Sequence, residues 1–145
     1  MILISHRGNI NGKNLNIENH PSYIDKAIEA GYDVEIDVWY LEGRLFLGHD
    51  SAQYIVDIHW LENRSPSLWI HCKNIKALET LKELDSMGRH INYFWHEEDD
   101  FTLTSKNFIW TYPGQRVCNK SVLVVDDARK YSRQICFGLC SDYLK

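Results

Sequence analysis

Residues 33–50 (DVEIDVWYLEGRLFLGHD) constrain the fold of this chain more than any other stretch. Carboxylates alternate with branched apolar residues in its first part, so Asp33, Glu35 and Asp37 point to one face of a β-strand. Acidic residues are poor strand formers and repel one another at close range, so this face needs a compensating cation or base. A divalent metal ion is the simplest candidate, because hard cations bind carboxylate oxygens. The alternative is an ordinary amphipathic strand whose acidic side faces water.

A hairpin is predicted directly after the acidic strand. The turn at residues 42–44 leads into a second apolar run, residues 45–47, which ends in Gly48-His49-Asp50. Antiparallel pairing of the two runs carries His49 back toward the acidic face. The pattern therefore predicts an imidazole near the carboxylates.

A buried strand and a helix are predicted before the acidic strand. Residues 2–4 are uniformly apolar, as in a strand that is covered on both faces of a parallel sheet. His6 and Arg7 follow at its carboxyl end, where an imidazole suits proton transfer and a guanidinium suits a phosphate or a carboxylate. A helix with a proline in its first turn is predicted to start at Asn19 and to run through Ala30. Together these elements form a βαβ unit, which implies parallel strands.

Length, charge and cysteine content limit the class of protein. A chain of 145 residues with 44% hydrophobic content can bury one good core, so residues 1–145 are expected to form a single domain. A net charge of −4 without a basic cluster argues against a nucleic-acid-binding protein. The four cysteines contain no CxxC pair, which favours reduced thiols, with pairing of Cys136 and Cys140 as the less common alternative. Without a signal peptide or a membrane-spanning segment, we expect a soluble, cytoplasmic protein.

Four short motifs in the first 50 residues follow the order and spacing of a known family. They are His6-Arg7-Gly8, Glu18-Asn19, Glu35-x-Asp37 and His49-Asp50. In this stretch the chain resembles the glycerophosphodiester phosphodiesterases, TIM-barrel enzymes similar to phosphatidylinositol-specific phospholipase C. The resemblance implies a site at the carboxyl ends of the barrel strands, with one divalent ion, Mg or Ca, on Glu35 and Asp37. It also implies that His6 and His49 are the catalytic acid–base pair and that Arg7 binds the phosphate.

The chain departs from the family pattern at its next predicted strand, residues 68–73. The family carries a glutamate and, two residues later, a lysine there; this chain has His71 in the glutamate position and keeps Lys73. The two positions share a strand face. A ring-nitrogen ligand at His71 would shift the metal preference toward Mn or Zn. The other interpretations are a metal ion held by the two carboxylates and water alone, and a packed histidine with no metal contact.

The second half of the chain gives weaker signals. Residues 97–100 (EEDD) suit a second metal site or, more commonly, a solvated loop. Trp110, in a strand predicted at residues 106–112, resembles the family tryptophan that lines the substrate pocket. Residues 137–143 resemble the strand that closes the family's barrel.

The chain is short for the fold that the resemblance implies. A TIM barrel typically takes about 250 residues, so 145 residues predict a compact or incomplete TIM-like α/β barrel with a reduced outer helical layer. Strand faces left open by missing helices need cover, which makes a homodimer plausible.

The residues and the resemblance together predict a metal-dependent phosphodiesterase. It would hydrolyse a small glycerophosphodiester-type substrate to a phosphomonoester and an alcohol, with Lys73 and Trp110 joining Arg7 in substrate binding. One alternative is phospholipase-like cleavage of another phosphodiester through a cyclic phosphate. The other is a non-catalytic module that binds a phosphate ligand.

Overall fold

A computed structural model describes residues Met1–Lys145 and shows a mixed α/β fold built on one curled sheet of ten strands. The strands are β1 (Ile2–His6), β2 (Asp33–Leu41), β3 (Arg44–Leu47), β4 (Tyr54–Val56), β5 (Leu68–Cys72), β6 (Tyr93–Trp95), β7 (Phe101–Leu103), β8 (Ile109–Thr111), β9 (Ser121–Val124) and β10 (Gly138–Ser141). The α-helices are α1 (Pro21–Glu29), α2 (Ile58–Arg64) and α3 (Ile75–Leu84). Short helical turns span Ser65–Ser67, Asp85–Arg89 and Ala128–Tyr131.

Seven strands run parallel in the order β6-β5-β2-β1-β10-β9-β8. The long β2 organises this sheet, because its first residues pair with both β1 and β5 and its last residues pair antiparallel with β3. β4 extends the β3 hairpin, and β7 pairs antiparallel with β8. The predicted parallel β1–β2 unit and the predicted hairpin are both confirmed.

The sheet curls around an apolar interior. Six strands each contribute one buried residue to this cluster: Ile4, Trp69, Phe94, Trp110, Val122 and Cys140. Phe94 of β6 and Trp110 of β8 stack with ring centroids 4.7 Å apart. These strands lie at opposite ends of the parallel order, so the sheet must bend for the rings to meet. Next to them, the Thr102 hydroxyl of β7 donates to the Trp95 carbonyl of β6 across 2.7 Å.

The α-helices pack on the outer face of β2 and β5. Ile24 and Ala27 of α1 and Ala77 and Leu81 of α3 are buried there, in the largest apolar cluster of the protein. Asn74 caps α3 by accepting from the Ala77 amide, as the sequence predicts.

The predicted start of α1 at Asn19 is wrong by one residue. The His20 side chain accepts from the Ser22 amide and caps the helix, which ends at Glu29. Asn19 instead has a positive φ of 62°, and its side chain is used elsewhere, as described below.

The outer helical layer is reduced, as the chain length predicts, since no α-helix follows α3. β7 leaves Phe101 and Leu103 exposed, a face that a full layer of helices would cover. The strand predicted at residues 106–112 is shorter in the structure, because the β7–β8 turn includes Asn107, with a φ of 65°. No helix has the length and apolarity needed to cross a membrane.

Candidate active site

A cavity of about 490 Å³ opens at the carboxyl ends of the parallel strands. It is lined by all but one of the predicted site residues: His6, Arg7, Glu35, His49, His71, Lys73 and Trp110. Asp37, the remaining one, lies fully buried beneath them. Carboxyl ends of parallel strands meet at one edge of a sheet, which is why residues distant in sequence converge there. A larger groove of about 660 Å³, beside the β3–β4 hairpin, is mostly apolar and contains no comparable cluster.

Asp37 is a buried carboxylate surrounded by cationic and hydrogen-bonding partners. Its carboxylate accepts from Asn19 Nδ2 at 2.9 Å and lies 3.0 Å from Arg7 Nε. The Asp37 amide donates to Asn19 Oδ1, so the left-handed Asn19 holds both the backbone and the side chain of this residue. Burial alone would raise the pKa of Asp37, but the hydrogen bond from His71 and the charge of Arg7 lower it below its ordinary value. Asp37 is therefore ionised at neutral pH.

Glu35, unlike Asp37, has a carboxylate oxygen without a compensating partner. It is 3% exposed, and its Oε2 atom has no hydrogen-bond partner, with His6 Nε2 3.8 Å away. Burial, with the nearby charge of Asp37, raises the pKa of Glu35 to about 7. Without a cation, this carboxyl is therefore only partly ionised at neutral pH.

The metal-free protein is expected to lose stability as the pH rises. A carboxyl with a raised folded-state pKa stabilises the fold fully below its unfolded value of 4.5, and this contribution disappears as the pH passes about 7. His6, whose pKa is also raised, acts in the same direction. Urea unfolding in chelator should show a loss on the order of 2 kcal/mol between pH 5 and pH 8. In Glu35→Gln, most of this change in stability with pH should disappear. A variant whose stability falls as steeply as that of the wild type would contradict the raised pKa of Glu35 as its cause.

His71 joins the two carboxylates at the floor of the cavity. Its Nδ1 lies 3.1 Å from Asp37 Oδ1, and its Nε2 lies 3.0 Å from the His96 carbonyl oxygen. Donor atoms of Glu35, Asp37 and His71 lie within 4.8 Å of one another. The Oε2 atom of Glu35 has no hydrogen-bond partner in the protein, so it is free to act as a metal ligand. The three side chains therefore form a cluster that could hold a divalent cation.

His6 is held by a carboxylate from the last strand. Its Nδ1 donates to Asp142 Oδ1 at 2.8 Å, and Asp142 also accepts from Asn9 Nδ2 at 2.8 Å. Since the proton on Nδ1 faces Asp142, Nε2 is the nitrogen on the Glu35 side. Burial lowers the pKa of His6, but the Asp142 bond and the charge of Glu35 outweigh it and the net shift is upward.

Arg7 and Lys73 bring two basic side chains to the cavity. Arg7 has a positive φ of 57° and is fixed by Asp37 and by Glu18, whose Oε2 lies 3.3 Å from Nη1. Only Nη1 makes a side-chain hydrogen bond; Nε pairs with Asp37 by charge but has no hydrogen-bond partner. Lys73 Nζ lies 3.8 Å from Asp37 Oδ1. Both side chains line the cavity and are paired with the buried carboxylate of Asp37.

His49 lies at the rim of the cavity. The hairpin returns it there, and the Trp39 indole donates to the Gly48 carbonyl at 2.7 Å to fix the turn that precedes it. Its side chain is 42% exposed, and its Nδ1 lies 2.7 Å from Asp50 Oδ1. Burial, followed by the charge of Arg7, lowers the pKa of His49. The two predicted acid–base histidines therefore have pKa values shifted in opposite directions.

Several functional positions were missed by sequence reasoning. Asp142 orients His6, Asn9 donates to Asp142, and His96 forms part of the cavity wall. Trp110 lines the cavity but is only 5% exposed and mainly packs in the interior. Residues 97–100 are all exposed, in agreement with a solvated loop.

Comparisons with known proteins identify no relative. A scan against protein-family models, a search of curated proteins and a search of solved structures each gave no significant match. Support for a function therefore comes from the four sequence motifs and from the geometry of the cavity.

Proposed function

We propose that this protein is a metal-dependent phosphodiesterase, built on a reduced TIM-like (β/α) barrel, that hydrolyses a glycerophosphodiester-type substrate to a phosphomonoester and an alcohol. The observation that carries the proposal is the meeting of two histidines, two cations and a buried carboxylate pair in one cavity. They come from separate strand ends, and no apolar core requires such residues.

The phosphate would sit between Arg7 and Lys73. Arg7 is held rigidly by Glu18 and Asp37, so it can present its free donors without losing conformational freedom on binding. Lys73, directly after β5, adds a point charge. Both groups stabilise the negative charge that grows on the phosphoryl oxygens as the reaction proceeds.

Glu35, Asp37 and His71 are the residues that would hold a divalent ion. An ion there supplies Lewis-acid stabilisation of a phosphoryl oxygen. Holding it would also remove the unfavourable burial of the unpartnered Glu35 oxygen.

His6 and His49 would transfer the protons. Hydrolysis requires one base to take a proton from the attacking water and one acid to give a proton to the oxygen of the departing alcohol. His6 presents Nε2 from a fixed ring inside the cavity, and His49 approaches from the rim. The oxygen of the attacking water forms the new P–O bond as the P–O bond to the alcohol breaks. One proton leaves the water and one is given to the alcohol, so the step is balanced.

Phosphorus NMR tests this proposal directly. The protein would be incubated with a panel of glycerophosphodiesters and one phosphoinositide, each with Mg²⁺, Ca²⁺, Mn²⁺ or chelator. Metal-dependent appearance of a phosphomonoester, lost in Glu35→Gln and retained in the exposed-histidine variant His59→Gln, is the expected result. A cyclic phosphate product would favour the phospholipase-like reaction instead. Binding of a diester without turnover under any condition would overturn the proposal in favour of a binding module.

A further inference from the structure

The ring of His71 is fixed before any ligand arrives. It stacks on Phe94 with centroids 5.3 Å apart and an interplanar angle of 3°. Its Nε2 lies 3.0 Å from the His96 carbonyl oxygen. A carbonyl can only accept, so Nε2 must carry a proton. Nδ1 faces Asp37, to which it donates when no ion is bound, and a metal ion at this position would replace the Nδ1 proton and bind the lone pair left there.

The separation of Nδ1 from Asp37 Oδ1 matches two ligands of one ion. Two donors, each about 2.1 Å from a metal at tetrahedral or octahedral angles, lie roughly 3.0–3.4 Å apart. The observed distance is 3.1 Å. A ligating histidine in proteins usually donates its other N–H to a carboxylate or a backbone carbonyl, which is the contact that His96 provides.

The carbonyl that fixes His71 is itself held in place. The His96 side chain is nearly buried, its ring packs 4.5 Å from that of Tyr112, and its Nε2 lies 2.5 Å from the Tyr112 hydroxyl. His96 thus acts as a positioning residue through its backbone.

We infer that His71 makes the site selective for first-row transition ions such as Mn²⁺ over Mg²⁺ and Ca²⁺. One imidazole nitrogen and two carboxylates form a mixed donor set, whereas Mg²⁺ and Ca²⁺ favour oxygen donors throughout. This inference rests on the metal site of the proposed function, although it does not depend on turnover.

Competitive metal binding by the full chain tests it. Calorimetry with Mn²⁺ and with Mg²⁺ would be run on the wild-type protein, on His71→Glu and on His59→Gln, the exposed control. We expect Mn²⁺ to bind at least about tenfold more tightly than Mg²⁺, and His71→Glu to reduce that ratio by about tenfold. An unchanged ratio in a folded His71→Glu protein would overturn the inference, as would absence of Mn²⁺ binding to the wild type.

Pulsed electron paramagnetic resonance of the Mn²⁺-loaded wild type gives a second readout that needs no variant to fold. A nitrogen coupling to the ion is expected from His71, and its absence would overturn the inference. The phosphorus NMR panel separates this result from the proposed function. Selective Mn²⁺ binding without turnover would support the role of His71 and contradict the phosphodiesterase activity. Turnover without a nitrogen coupling would support the activity and contradict the role of His71.

Discussion

Replacing His6 by asparagine is expected to slow hydrolysis of the diester by about 10²–10⁴-fold, the usual contribution of a positioned acid or base. The asparagine amide can still donate toward Asp142, so the contact that ties β1 to the end of β10 is retained in kind. Arg7 and Lys73 are untouched, and diester binding should change little. The loss should therefore appear in kcat, with KM nearly constant.

The exposed His59 provides the matched control for this experiment. Its side chain is 79% exposed on α2, outside the cavity, so His59→Asn should leave the rate unchanged. His49→Asn should lower kcat in the same range as His6→Asn. A rate for His6→Asn within a factor of about three of wild type would contradict an acid–base role. A loss confined to KM would indicate a role in substrate binding instead.

Strand periodicity was enough to predict much of this site. Alternation along β2 places Glu35 and Asp37 on the interior face, and the same rule places His71 of β5 on the same side as Lys73, the residue directly after β5. The parallel β1–β2 unit then puts His6 beside Glu35 in register. The alternation follows from local rules, because it needs only neighbouring residues in the chain, whereas the pairing of His6 with Glu35 also needs the β1–β2 contact.

The remaining parts of the site depend on contacts that no local rule contains. Asp142 and His6 are 136 positions apart in the sequence. They are in contact because β10 pairs with β1. Asn19 resembles a helix cap by its type and its place before a proline, yet its side chain binds Asp37 instead. Local capping preference is worth about 1 kcal/mol. A buried carboxylate without donors costs more than that, so the tertiary contact determines the conformation of Asn19.

Removing the charge of Asp37 is expected to produce the largest loss of stability of any single site substitution. Asp37 is fully buried and is the common partner of Arg7, His71 and Lys73. The Asp37→Asn substitution keeps the shape of the side chain, but Arg7, His71 and Lys73 lose the negative charge that they share. The new amide group also faces hydrogen-bond donors that it cannot pair with. Breaking a buried pair in this way costs roughly 3–5 kcal/mol. Urea unfolding of the metal-free protein at pH 7 measures it.

Asp33→Asn is the matched comparison, because Asp33 lies on the same face of β2. Its carboxylate accepts one hydrogen bond, from the Trp69 indole at 2.9 Å, which an asparagine oxygen can still accept, so a loss of about 1 kcal/mol or less is expected. The pH dependence of the free energy of unfolding also distinguishes the two variants. The lowered pKa of Asp37 means that its stabilising effect is present above the unfolded value of 3.8 and is lost as the pH falls below it. The gap between wild type and Asp37→Asn should therefore narrow in acid. Equal losses for the two variants at pH 7 would show that Asp37 is an ordinary buried polar residue and not the electrostatic centre of the site.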